Sequence, residues 1–172
     1  MNCIKVFVLL NSCPCGCYPD MNRCSCTREQ IDRYRKKISQ AILERIDLCV
    51  EVSAVSWEDV CLSGTGEKES VKMKEQVQRA HNIQKERYRG TNIQFNGQLG
   101  SREIPKYCRL SREAEKLTKE AFSRMRLSLR VCHRIIKVSR TLADLEDASD
   151  IGEKHILEAL YFRGMDQEDW KA

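Results

Sequence analysis

Apolar and polar residues follow two different rhythms along this chain, and the change between them falls near residue 58. Residues 4–10, IKVFVLL, are a short continuous apolar run rich in β-branched side chains, the pattern of a buried strand in a parallel sheet. Such a strand needs neighbours on both sides, so here it stands as an orphan. Residues 46–52, IDLCVEV, alternate apolar and polar and predict a second strand. Between them, Thr27 and Gln30 in TREQ form a capping-box pattern that opens a helix. That helix would turn Ile31, Tyr34 and Ile38 to one face and leave Arg33, Arg35, Lys36 and Lys37 in water.

Residues 63–66, SGTG, read as a linker, and beyond them the helical period takes over. The segment EKESVKMKEQVQRAHNIQKERYRG predicts a helix terminated at Gly90, with Val71, Val77 and Ala80 inward. A loop and a short helix around residues 102–107 follow. Ser111 then caps REAEKLTKEAFSRM, and Ser128 caps LRVCHRIIKVSRTLADL, where Val131, Ile135, Val138, Leu142 and Leu145 keep helical spacing. GEKHILEALYFR predicts a last helix. The fold expected is mainly α. Residues 1–58 hold two strands, one helix and a cysteine-rich loop, and residues 59–172 form a bundle of four to five helices.

Composition narrows the class. A chain of 172 residues is long enough to bury a core, and 32% charged residues with a mean hydropathy of −0.54 mark a soluble protein. The 30 basic and 25 acidic side chains leave +5, a mild excess compatible with nucleic acid without requiring it. The amino end loosely mimics a secretion signal, but its apolar run of Val6 to Leu10 is shorter than the roughly 7–15 residues such a signal needs. Nothing approaches the roughly 20 apolar residues of a membrane span. A cytoplasmic location is therefore expected.

That expectation bears on residues 11–26, NSCPCGCYPDMNRCSC, where five of sixteen residues are cysteine. In a reducing compartment, clustered cysteines are more often metal ligands than disulfides. The paired spacing Cys13/Cys15 and Cys24/Cys26 can supply four thiolates to a tetrahedral Zn2+, with Gly16 and Pro19-Asp20 turning the chain back on the metal. A set of reduced surface thiols is the alternative. Cys17 is the spare thiol. Cys49, Cys61, Cys108 and Cys132 are scattered and read as small buried hydrophobes.

Two further constellations carry charge. ISQAILERID, residues 38–47, places Arg45 between Glu44 and Asp47, ordinarily a surface ion pair. In residues 126–145, Arg130, Arg134, Lys137 and Arg140 recur at helical intervals and could face phosphate or simply solvent. His133 and His155 lack partners at metal spacing and receive no catalytic role. The sequence contains no GxxxxGK[ST] loop, and no acidic pair follows a strand to hold magnesium.

In this order the motifs resemble the C-terminal portion of the magnesium-chelatase-like AAA+ ATPases of the ComM (YifB) type. LLNSCPCG is similar to the family's MNPCPCG at the end of a sensor strand. CSCTREQIDRYRKKIS matches the cysteine pair and following helix, and ISQAILERID is similar to ISGPLLDRID. LSLRVCHRIIKVSRTLADL and HILEALYFR match the closing segments of the lid.

The resemblance implies roles. Asn11 falls on the sensor-1 polar residue that positions the attacking water. Arg45 falls on an arginine finger reaching a neighbouring subunit's nucleotide, and Arg130 on the sensor-2 arginine. Phosphoryl transfer depends on positioning and charge stabilisation, to which a planar guanidinium is suited. Gln40 and Ala41 replace the family's glycine and proline, Glu44 its aspartate, and Ser12 a proline.

The implied activity is ATP hydrolysis with Mg2+ in a homo-oligomeric ring, coupled to DNA remodelling in competence or recombination. The nucleotide loop and acidic motif are expected upstream of this chain, which reads as the truncated end of an AAA+ core followed by a helical lid. By itself the chain is expected to be inactive. A freestanding zinc-binding adaptor, docking on nucleic acid or protein through helix 128–145, is the alternative.

Overall fold

The computed structural model describes residues 6–52, 55, 57, 61 and 66–163. The described backbone divides into two units, residues 6–43 and residues 44–163.

In the first unit the cysteine loop leads into α1 (Arg28–Arg35) and a single turn, α2 (Gln40–Leu43). The capping box forms as the TREQ pattern requires. Thr27 Oγ1 accepts the Gln30 N–H at 3.3 Å, and Gln30 Oε1 accepts the Thr27 N–H at 2.9 Å. Ile31 is buried and Tyr34 and Ile38 are partly covered. Arg35, expected in water, is instead buried: its Nε donates to the Ser12 carbonyl at 3.4 Å and its guanidinium lies 4.7 Å from the Tyr18 ring centre. A guanidinium can leave water when carbonyl and aromatic faces replace it.

The second unit is helical: α3 (Gly66–Arg87), α4 (Ile104–Tyr107), α5 (Arg112–Arg124), α6 (Leu129–Leu145) and α7 (Glu153–Tyr161). Helix α6 is central, packing on α7, α3 and α4, while α5 packs on α7. The caps are local and occur where the serines place them, with Ser111 accepting from the Ala114 N–H and Ser128 from the Val131 N–H. One cluster buries Tyr88, Leu99, Ile104, Cys108, Ala114, Ile136, Ala143, Ile151 and Ile156, and a second buries Val131, Ile135 and Ala159. Helix α3 differs from expectation. Residues 69–79 are all exposed, Val71 and Val77 included, and the inward residues are Ala80, Gln84 and Tyr88. Among the described residues only its last turns are buried, and the earlier apolar residues stay exposed.

The structure does not confirm the two expected strands. Residues 6–10 and 46–52 form no strand, and residues 4–5 lie outside the described residues. Val6, Phe7 and Leu9 are more than three-quarters exposed, and no sheet neighbour pairs with them among the described residues. The one parallel bridge described joins Leu110 to Ile151 and ties the loop before α5 to the loop before α7.

Candidate metal centre and basic pocket

The cysteine loop is a succession of tight turns. The Gly16 N–H donates to the Cys13 carbonyl at 3.1 Å, Asp20 N–H to Cys17 at 2.9 Å, and Cys24 N–H to Asp20 at 2.8 Å. Gly16 sits at φ +79°, a left-handed conformation that side chains resist, and a Cβ there would touch the Asn11 amide. These turns bring the sulfurs of Cys13, Cys15, Cys24 and Cys26 within 4.8 Å of one another. Three of the Sγ···Sγ separations are 3.4, 3.6 and 3.8 Å.

All four thiols are free, and none of these separations is near the roughly 2.05 Å of a disulfide. They are close to the edge of a sulfur tetrahedron around zinc, about 3.8 Å for Zn–S bonds of about 2.3 Å. The donor set therefore fits a four-coordinate soft metal. Cys13 is fully buried and Cys15 exposed, so the site faces solvent on one side. Cys17 points elsewhere, its thiol donating to the Cys15 carbonyl at 3.7 Å.

The charge state of the cluster is divided. Burial pushes the Cys13 thiol up, but the Tyr18 and Gly16 N–H groups favour its thiolate, and the net direction is down. The Cys17 N–H, with the Cys13 thiol and Ser25 N–H, brings Cys15 down to about 5. Cys24 and Cys26 each receive one backbone N–H that lowers them, yet burial and the neighbouring thiols push both up, Cys24 to about 12. Four crowded thiols thus share charge unevenly unless a cation compensates it.

The second unit holds a pocket of about 380 Å³ between the first half of α6 and the turn leading into α4. It is lined by Leu99, Ser101, Ile104, Leu129, Arg130, His133, Arg134 and Lys137. Arg130 occupies the first turn of α6 and is exposed. Arg134 is ion-paired with Asp47. Lys137 Nζ donates to the Gly97 and Leu99 carbonyls at 3.1 and 3.3 Å, and burial lowers its pKa.

Arg140 does not join this surface, although its spacing suggested that it could. It is 1% exposed, its Nε bonds Asp144 at 3.0 Å, and its Nη atoms cap the Ser149 and Ala148 carbonyls. Asp144, fully buried, also receives Arg87 and the Asn96 amide, and Asn96 in turn accepts the Tyr88 hydroxyl at 2.6 Å. This network locks α3 to α6. His155 is equally structural: its Nδ1 accepts the Gly152 N–H at the start of α7, which leaves Nε2 to donate to Glu146 at 3.0 Å.

Asn11 and Arg45 are both exposed, the first at the mouth of the cysteine loop and the second one residue before Ile46, whose carbonyl accepts from Arg163. They lie in different units. Of the scattered cysteines, Cys108 is buried, Cys49 and Cys132 are partly covered, and Cys61 is exposed, contrary to the expectation for it. Sequence reasoning missed Arg35, which braces the cysteine loop, and the partnership of Asp47 with Arg134 across 87 positions. No local pattern signals either contact.

A chelatase-type helical domain preceded by a cysteine loop agrees with comparison to known families. The chain belongs to the magnesium chelatase ChlI family: residues 67–163 match the model described as magnesium chelatase, subunit ChlI C-terminal, and residues 2–60 that of magnesium chelatase, subunit ChlI. It is 35% identical over 162 residues to the competence protein ComM of Haemophilus influenzae, covering 94% of this chain and 31% of that protein. It is 31% identical over 163 residues to the uncharacterized protein YifB of Salmonella typhimurium, with 95% and 31% covered. The YifB protein of Escherichia coli is 30% identical over 163 residues, again with 95% and 31% covered. The chain thus spans just under a third of the length of these relatives. No helix among the described residues is long and apolar enough to cross a membrane.

Proposed function

We propose that this chain is the C-terminal region of a ring-forming AAA+ ATPase that couples ATP hydrolysis, with Mg2+, to DNA remodelling in the cytoplasm. Residues 1–58 belong to the end of the ATPase core and residues 59–172 to its lid. The observation that carries this reading is the pocket at the start of α6, which Arg130 and Arg134 line together. Converging cations in a concave site suit a polyphosphate, and family membership supplies the nucleotide context. The relative named as a competence protein supports the process.

In this reading Arg130 contacts phosphate and reports nucleotide state to the lid. Arg45, exposed in the turn that follows α2, acts in trans on a neighbouring subunit's nucleotide. Asn11 orients the attacking water. Cys13, Cys15, Cys24 and Cys26 hold one zinc ion, whose four thiolates leave no open position, so its contribution is structural.

The adaptor alternative needs a continuous basic face on helix 128–145. It is weakened by the burial of Arg140 and by the bonds that commit Lys137 to backbone carbonyls. The test is turnover. Joined to a nucleotide-loop-bearing core of the same family, the chain should support ATP hydrolysis, and Arg45→Ala should cut it about a thousandfold without loss of ATP binding. ATP hydrolysis by the chain alone that disappears in Arg45→Ala would overturn the assignment.

A further inference from the structure

One carboxylate from outside the pocket lining, that of Asp47, reaches a residue of that lining. It pairs with the Arg134 guanidinium, yet Arg134 lines the basic pocket and no acidic side chain is among the residues that do. The pair is lopsided in its exposure: the Arg134 side chain is 22% exposed and the Asp47 side chain 64%. The arginine is largely withdrawn from water and needs a counter-charge. The aspartate keeps most of its hydration and gains little from the contact, as is usual for exposed ion pairs. An anion with several oxygens, able to bind a guanidinium through two of them and to meet Arg130 and His133 as well, has the advantage over a single rim carboxylate.

The segment that carries Asp47 is also held through its backbone. Arg163, itself 1% exposed, donates to the Ile46 carbonyl, and the Cys49 N–H donates to the Phe162 carbonyl at 2.9 Å. The Asp47 pair differs from these backbone bonds in being made by an exposed side chain to a pocket residue. It is therefore the one that a ligand can undo while the backbone clips persist.

We infer that Asp47 is an internal stand-in for phosphate: a polyphosphate entering the pocket displaces it from Arg134 and loosens the chain beside Arg45. This rests on the nucleotide-facing reading of the pocket and adds to it a competitor and a consequence. The occupant is the polyphosphate end of a small molecule and not a nucleic-acid backbone. The cations converge on one cavity of about 380 Å³, whereas a duplex is tracked by charges spread along a surface.

The experiment titrates inorganic tripolyphosphate into the full 172-residue chain at low salt, by calorimetry, and follows backbone amide exchange in residues 45–49. Asp47→Asn should bind about two- to fivefold more tightly than the parent, the range that loss of an exposed ion-pair competitor allows. Asp47→Glu should bind like the parent, and Arg134→Ala should lose most of the binding. In the parent, tripolyphosphate should speed exchange of the Cys49 amide by making its bond to the Phe162 carbonyl open more often, and in Asp47→Asn it should not. Unchanged affinity in Asp47→Asn, or full binding by Arg134→Ala, overturns the proposal. So does binding of a short DNA duplex more tightly than tripolyphosphate. Arg130→Ala separates the two readings. If it binds normally while Asp47→Asn tightens, displacement stands and the role given to Arg130 falls. If it weakens binding while Asp47→Asn changes nothing, the reverse holds.

Discussion

In residues 6–43 the buried apolar side chains are Cys13, Ile31 and Leu43, whereas residues 44–163 bury two hydrophobic clusters and a satisfied ionic network. The helical unit can be held by burial alone, at about 25 cal/mol for each Å² of apolar surface removed from water. The smaller unit has little to bury. What it has in place of a core is four sulfurs gathered by turns and braced by Arg35. Small folds with too little core ordinarily depend on a staple, and a structural metal is one kind. In the proposed reading, with a metal bound by those sulfurs, the chain uses two routes to a fixed shape, one spread over many weak contacts and one concentrated in a few strong ligands.

The largest effect should come from attacking the concentrated site. Cys13→Ser, or chelation under reducing conditions, should abolish amide-exchange protection in residues 13–26 while α3 to α7 keep their melting transition. Next comes the ionic network. Asp144→Ala leaves the Arg87 and Arg140 charges buried without their partner and should cost about 3–5 kcal/mol in denaturant unfolding of the helical unit. Ser128→Ala removes the cap of α6 and should cost about 1 kcal/mol by the same measurement.

The smallest effect concerns Glu146, whose carboxyl the Lys154 ammonium, and then His155, hold below its usual range. Its contribution is present above the unfolded carboxylate pKa and is lost as pH falls through the lower folded value. Glu146→Gln should therefore flatten the acid limb of the stability curve only slightly, because the side chain is 41% exposed.

The contrast also decides what could be read in advance. Caps depend on residues two or three positions apart, so Thr27, Ser111 and Ser128 announced α1, α5 and α6. The pairing of cysteines was legible for the same reason, since CxC spacing and turn residues are local. The inward face of α3 was legible only in part: Ala80 is buried as its spacing predicts, whereas Val71 and Val77 are exposed and Gln84 and Tyr88 are buried in the last turns. A basic residue at helical spacing reads as solvated, yet Arg35 and Arg140 are buried by distant carbonyls, a ring and a carboxylate. The apolar run at residues 4–10 has the composition of a strand, and composition cannot supply the neighbours that pairing requires.

The most direct measurement is the metal content of the chain purified under reducing conditions, for the parent and for Cys13→Ser. About one zinc per parent chain is expected, and none in the variant. A parent chain without metal, or a variant that retains it, would contradict a metal-held loop in a chain whose helical unit is held by its core.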